Sequence, residues 1–171
     1  MKRGFTLIEL LVVISIIGVF AAVVLSSLSD VRELAQYTIV RNNMNIITDA
    51  LVADNDRTLL LTITSSSCSM CSCRVSAGAP VDLRNIDESE ACFQNWRQAI
   101  NNMAAKLSYI ADPEVFYRDP WGSPYLLDEN EGEFPTNVCR RDSLRSAGSD
   151  GVSGTPDDYV IVMPYRNLQC N

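Results

Sequence analysis

Three sets of residues in this chain have types and spacings suited to chemistry. The first is the acidic glycine stretch Ser146-Ala147-Gly148-Ser149-Asp150-Gly151-Val152-Ser153-Gly154-Thr155-Pro156-Asp157-Asp158, in which three carboxylates fall within nine residues and three glycines let the chain curl back. A hard cation such as calcium takes roughly six to eight oxygens from carboxylates, hydroxyls and backbone carbonyls, and a loop turning Asp150, Asp157 and Asp158 inward would supply such a set. The stretch does not fit the EF-hand pattern, and composition alone favours a solvated Asp/Gly turn over a cation site. The second set is six cysteines in a chain without histidine: Cys68, Cys71 and Cys73 clustered, and Cys92, Cys139 and Cys170 apart. The third is Glu9, the one charged residue in an otherwise apolar run from Phe5 to Leu25.

Each set constrains the elements that must hold it. As a helix the run from Phe5 to Leu25 is roughly 31 Å long, enough to cross a bilayer core. A carboxylate inside such a segment is expensive and needs a partner or a purpose. Lys2 and Arg3 precede the run, as the positive-inside rule favours. A secretory signal peptide would have a shorter apolar core, no internal charge and a small-residue cleavage site after it. A plain signal anchor would not explain Glu9 or the Gly4-Phe5 junction. The even cysteine count, behind an export signal, points to structural disulfides. Cys139 with Cys170, and Cys92 with one of the clustered three, are the favoured pairings. A Cys68-x-x-Cys71 redox pair lacks a thioredoxin-like context, a zinc site lacks histidine, and haem attachment lacks the histidine after the second cysteine.

The net charge of −7, which becomes −9 once a leader carrying Lys2 and Arg3 is removed, argues against general affinity for nucleic acid or anionic lipid. No proline precedes Pro80, so nothing interrupts an N-terminal helix from about Phe5 to about Val52. Gly18, Ser26, Ser27 and Ser29 weaken it only mildly. Tyr37, Val40, Met44, Ile47 and Leu51 make one apolar face, opposite Arg32, Glu33, Arg41, Asn42, Asn45 and Asp49. Leu59 to Thr64 reads as a strand or a further helical turn, and Ser65 to Pro80 as a surface loop. Asp87-x-x-Glu90 resembles a capping box, and Phe93, Trp96, Ile100, Met103, Leu107 and Ile110 predict a second amphipathic helix ending before Pro113. Strands are expected at Tyr125–Leu127, Val138–Leu144 and Tyr159–Met163, with an acidic loop from Asp128 to Asn137. The fold class is α+β: a long helix and a second helix on a small antiparallel sheet.

The basic leader followed by G-F-T-L-I-E-L-L resembles the class III signal of type IV pilins and pseudopilins. D-P-W-G-S-P-Y followed by S-A-G-S-D-G-V-S-G-T-P-D-D is similar to the C-terminal region of type II secretion major pseudopilins and some type IV pilins. This resemblance implies the pilin fold, with residues 1–4 as leader, 5–25 as the membrane and filament-core half of helix 1, and 26–171 as the globular domain. It implies cleavage after Gly4 by a prepilin peptidase and methylation of Phe5. It further implies a homo-oligomeric filament built with an inner-membrane assembly platform and minor pilins. Glu9 would then pair with the Phe5 amine of a neighbouring subunit. It implies a calcium ion held by the carboxylates of Asp150, Asp157 and Asp158 and the carbonyls of Ala147 and Val152, with Thr155 a further candidate. The expected location is single-pass in the inner membrane before assembly, then a periplasmic or extracellular filament. Both a secretion pseudopilus and a type IV pilus for adhesion, motility or DNA uptake fit. The alternative is a membrane-anchored, calcium-dependent binding module that never polymerises. No catalytic constellation is present apart from the Cys68/Cys71 thiols, so an enzyme is not expected.

Overall fold

The computed structural model describes residues 5–73 and 81–170, without the side chains of 25–27. The cleavage residue Gly4, the side chains of Ser26 and Ser27, and the later part of the Ser65–Pro80 stretch lie outside the described residues. Two compact units part between Ala35 and Gln36, and helix α1 (Leu7–Ala53) contributes to both.

In the N-terminal unit every described side chain is exposed, including Phe5, Leu7, Ile8 and Phe20. From Leu10 to Val24 the helix carries no charged side chain on any face, the composition of a segment surrounded by lipid or other helices. Among the described residues α1 alone is long and apolar enough to cross a membrane. Ser15 meets the same condition internally, its hydroxyl donating to the Leu11 carbonyl at 2.7 Å.

The second unit is built on the later half of α1, where Val40, Met44 and Ile47 are fully buried and Leu51 nearly so, as their three- and four-residue spacing requires. Helix α2 (Leu60–Thr64) and helix α3 (Ala91–Lys106) also belong to this unit. The strands β1 (Leu126–Asp128), β2 (Ser143–Ser146) and β3 (Tyr159–Val162) form an antiparallel sheet in that order. Trp96 of α3 lies in the main core, 5.8 Å from the Tyr125 ring. Its indole N–H donates to the Phe116 carbonyl at 2.8 Å, and Asn43 donates to the Tyr125 hydroxyl at 3.1 Å. The buried Arg166 donates to the Leu51 and Thr58 carbonyls and pairs with Asp54, tying the end of α1 to the C-terminal segment.

Several local expectations are corrected. The Asp87-x-x-Glu90 capping box does not form: Asp87 accepts instead from the backbone N–H and hydroxyl of Ser89, and Glu90 supplies no side-chain cap. A partner two residues away competes with one three residues away. Helix α3 stops at Lys106, yet Leu107 and Ile110 remain buried because the following turn carries them into the same core. Residues Ser69–Cys73 form a 3-10 turn with Ser69 and Met70 buried, rather than a surface loop. The expected strand at Val138–Leu144 begins only at Ser143.

The stretch from Asp128 is not simply a solvated acidic loop. Glu129, Asn130 and Glu131 are buried. Glu129 accepts from the N–H and hydroxyl of Ser69, and Glu131 from the backbone N–H groups of Arg166 and Asn167. Asp142, also buried, accepts from the N–H groups of Asn130 and Glu131 at 2.7 Å each. Desolvation outweighs those bonds, with Glu131 and Glu129 adding repulsion, and pushes the Asp142 carboxyl up to about 6. Burial raises Glu129 as well. A carboxyl raised in the folded state holds its proton while the unfolded chain loses it, so stability declines as pH rises from about 4 to about 6. Asp142→Asn retains the acceptor oxygen and removes the titration. Denaturant unfolding at pH 4, 5 and 6 should therefore show the variant gaining relative to the parent as pH rises, by on the order of 2–3 kcal/mol at the upper end. A constant difference across that range would refute the assignment.

Candidate functional site

The chemistry-bearing residues fall into two places, one in each unit, and a set of disulfides. At the start of α1, Thr6 and Glu9 form a reciprocal capping box. The Thr6 N–H and hydroxyl donate to Glu9 Oε2 at 2.9 and 2.8 Å, and the Glu9 N–H donates to the Thr6 hydroxyl at 3.3 Å. The isolated carboxylate of the apolar run thus has a local function, satisfying donors that a helix start leaves open. The pattern Thr-x-x-Glu at residues 6–9 carries the sequence signal for this cap. Phe5, immediately before it, is 80 % exposed.

The acidic glycine stretch is the connection between β2 and β3, closed at its base by the Ser146–Tyr159 pair. Its carboxylates take different positions. Asp157 lies inside the curl, its oxygens accepting from the hydroxyls of Thr155 and Ser149 and from the Asp150 N–H. Desolvation works against ionisation there, but the hydrogen bonds win and hold the carboxyl at about 2. Gly148 has φ +67°, and a Cβ at that position would sit 2.5 Å from the Asp157 carbonyl oxygen and 2.6 Å from its carboxylate. The close approach and the left-handed backbone both require glycine.

Asp158 turns the other way. Its Oδ2 accepts from Arg145 of β2 and from the Gly154 N–H, while Oδ1 is buried with no hydrogen-bond partner. An orphaned carboxylate oxygen of this kind is costly and is what a cation or a proton donor would satisfy. The Asp150 side chain is exposed and accepts from the Val152 N–H at 2.7 Å. The Val152 carbonyl accepts from the Thr155 hydroxyl at 3.0 Å, and Ala147 is fully buried. Asp150 and Asp157 are therefore joined through the Asp150 N–H, and Asp158 stands apart on Arg145. Among the described residues, no three histidine, cysteine or carboxylate side chains converge as a metal-ligating group.

The loop is fastened to its surroundings by long-range contacts that no spacing in the sequence marks as such. The Tyr37 hydroxyl donates to the Asp157 carbonyl at 3.0 Å, and the Tyr37 ring meets Trp121 edge-on at 4.8 Å. Arg84 donates to the Ser149 carbonyl at 2.9 Å, and the Leu83 N–H donates to Gly151. The turn Asp119–Tyr125 connects to the loop through buried Asp119, which accepts from the Trp121 and Ser123 N–H groups and from the Ser146 hydroxyl. Desolvation raises the Asp119 carboxyl despite these bonds. The two sequence motifs are thus one hydrogen-bonded assembly in space.

The cysteines pair as Cys68–Cys71, Cys73–Cys92 and Cys139–Cys170, and none is free.

Residues 1–25 match the family model of the prokaryotic N-terminal methylation motif. Over nearly its whole length the chain is similar to proteins named type II secretion system core protein G. That of Escherichia coli (strain K12) is 28 % identical over 168 residues, covering 93 % of this chain and 90 % of the relative. That of Pseudomonas aeruginosa is 27 % identical over 177 residues, covering 97 % and 96 %. That of Aeromonas hydrophila is 23 % identical over 166 residues, covering 92 % and 90 %. No solved structure gives a significant match.

Proposed function

We propose, from the premise that this chain is a structural subunit of the type IV pilin and pseudopilin family, that it is the repeating subunit of a type II secretion pseudopilus. The observation that carries the choice is likeness across more than nine-tenths of the chain to core protein G of several bacteria, where the methylation motif alone would fit any filament of the family. The helical run behind Phe5 is apolar on all sides and anchors the precursor in the membrane. Cleavage after Gly4 by a prepilin peptidase frees the Phe5 amine, which is then methylated. An inner-membrane assembly platform and minor pseudopilins would draw subunits out of the bilayer. Their apolar helices then exchange lipid for one another and form the centre of a periplasmic filament. The role is mechanical, with no catalytic residue assigned.

We further propose that the β2–β3 loop binds calcium. The orphaned Asp158 Oδ1 supports this, as does a donor set made of hard oxygens. Asp158 Oδ1 is the candidate ligand already without a hydrogen bond, the Ala147 carbonyl belongs to a fully buried residue, and the Asp157 carboxylate would have to release its present donors. Asp150 and the Val152 carbonyl would join by giving up their present hydrogen bonds within the loop. Bound there, calcium would supply charge neutralisation and a cross-link between the two ends of the loop.

Mass spectrometry of the subunit recovered from the membrane and periplasmic fractions tests the main reading. The mature chain should begin at N-methylated Phe5. A chain that retains Met1 and stays with the membrane would overturn it in favour of an anchored binding module.

A further inference from the structure

The three disulfides are unequal in what they hold. Cys73–Cys92 spans 19 residues and joins the 3-10 turn to α3, with both partners buried. Cys139–Cys170 spans 31 residues and retains the C-terminal segment. Cys68–Cys71 spans only three. Chain entropy gives so short a link the least of the three to contribute to the folded state.

The turn that Cys68–Cys71 closes is already secured by other means. Between the two cysteines, Ser69 places its N–H and hydroxyl on the buried Glu129, and Met70 packs into a small apolar cluster with Leu83 and Leu126. The Cys71 N–H donates to the Cys68 carbonyl at 3.2 Å, a backbone bond independent of the sulfur atoms themselves. Immediately beyond, Cys73 is bound covalently to Cys92. The pair is also asymmetric: Cys71 is the one exposed cysteine, while Cys68 is partly buried against the Met70 cluster.

From this arrangement we infer that Cys68–Cys71 is a thiol–disulfide exchange site on the subunit surface, whose reaction partner is a dithiol protein. A thiolate of the reduced partner attacks Cys71 Sγ, breaking the bond to Cys68, and Cys68 leaves as a thiolate that takes up a proton. The partner's second thiol then displaces Cys71 from the mixed disulfide. Two electrons pass from the partner, which ends as a disulfide, to the subunit, which ends with two thiols. The domain keeps its fold throughout, because Ser69, Met70 and Cys73 hold the turn.

The test is limiting dithiothreitol on full-length protein in detergent under native conditions, followed by alkylation and peptide mass spectrometry. Labelling of Cys68 and Cys71 should exceed that of the other four cysteines by about ten-fold or more, with the far-UV circular dichroism unchanged. In single variants treated with an aromatic disulfide probe, Cys71 of Cys68→Ser should react faster than Cys68 of Cys71→Ser. Earlier labelling of Cys139 and Cys170, equal labelling of all six, or labelling of Cys68 and Cys71 only together with loss of helical signal would each overturn the inference.

Discussion

We expect Glu9→Ala to leave cleavage after Gly4 largely intact and to reduce filament yield by about ten-fold or more, because in the proposed filament it would remove the partner of a buried charge. Two contributions are lost in that variant. One is visible within the chain: Glu9 Oε2 accepts the Thr6 N–H and hydroxyl and so completes the start of α1. The other belongs to the proposed filament, where a Phe5 amine freed by cleavage would lie among apolar helices and the Glu9 of a neighbouring subunit would compensate its charge. Glu9→Gln separates the two. Glutamine serves in a capping box as glutamate does, but it carries no charge to offset an ammonium. Filament yield should therefore stay low in Glu9→Gln while mature, methylated subunit accumulates in the membrane. Normal filaments from Glu9→Ala would sink the charge-pairing mechanism, and recovery in Glu9→Gln would assign the effect to the cap.

Chelation of calcium will lower the melting temperature of the domain by on the order of 5–15 °C. This follows from about 3–4 kcal/mol of stabilisation at saturating ligand and the usual conversion for a domain of this size. Asp158 is the residue on which the test turns, since its Oδ1 is buried without a partner. Asp158→Ala also deprives Arg145 and the Gly154 N–H of their acceptor, so its absolute stability falls whether or not a metal binds. The informative quantity is the difference between calcium and chelator, which should be present in the parent and absent in the variant. Equal melting temperatures for the parent in calcium and in chelator would end the calcium proposal. The filament reading would stand, because it rests on the N-terminal helix and the whole-length likeness.

The sequence carried elements whose signal is local or periodic. The apolar run with Glu9 is legible because lipid demands uninterrupted apolar length. The later face of α1 is legible because Val40, Met44, Ile47 and Leu51 repeat at helical spacing and all meet the core. Trp96 and the α3 stripe follow the same rule, and the β3 strand at Tyr159–Val162 is marked by β-branched and aromatic residues. The β2–β3 loop was visible as a composition of aspartate and glycine, and the two motifs around Asp119 and Asp157 were visible as separate strings.

What tertiary structure decided is where the polar groups go. Glu129 and Glu131 sit in a sequence that looks solvated, yet they are buried because Ser69 and the Arg166–Asn167 backbone, both far along the chain, supply donors. Asp119 joins its motif to the loop only through Ser146, and Tyr37 reaches Asp157 across 120 positions. Asp87 looked like a cap and bonded Ser89 instead. Apolar side chains announce their burial by type and period, since the hydrophobic effect acts on each without regard to direction. A polar side chain is buried only where a particular donor or acceptor meets it, and that partner is a property of the folded chain.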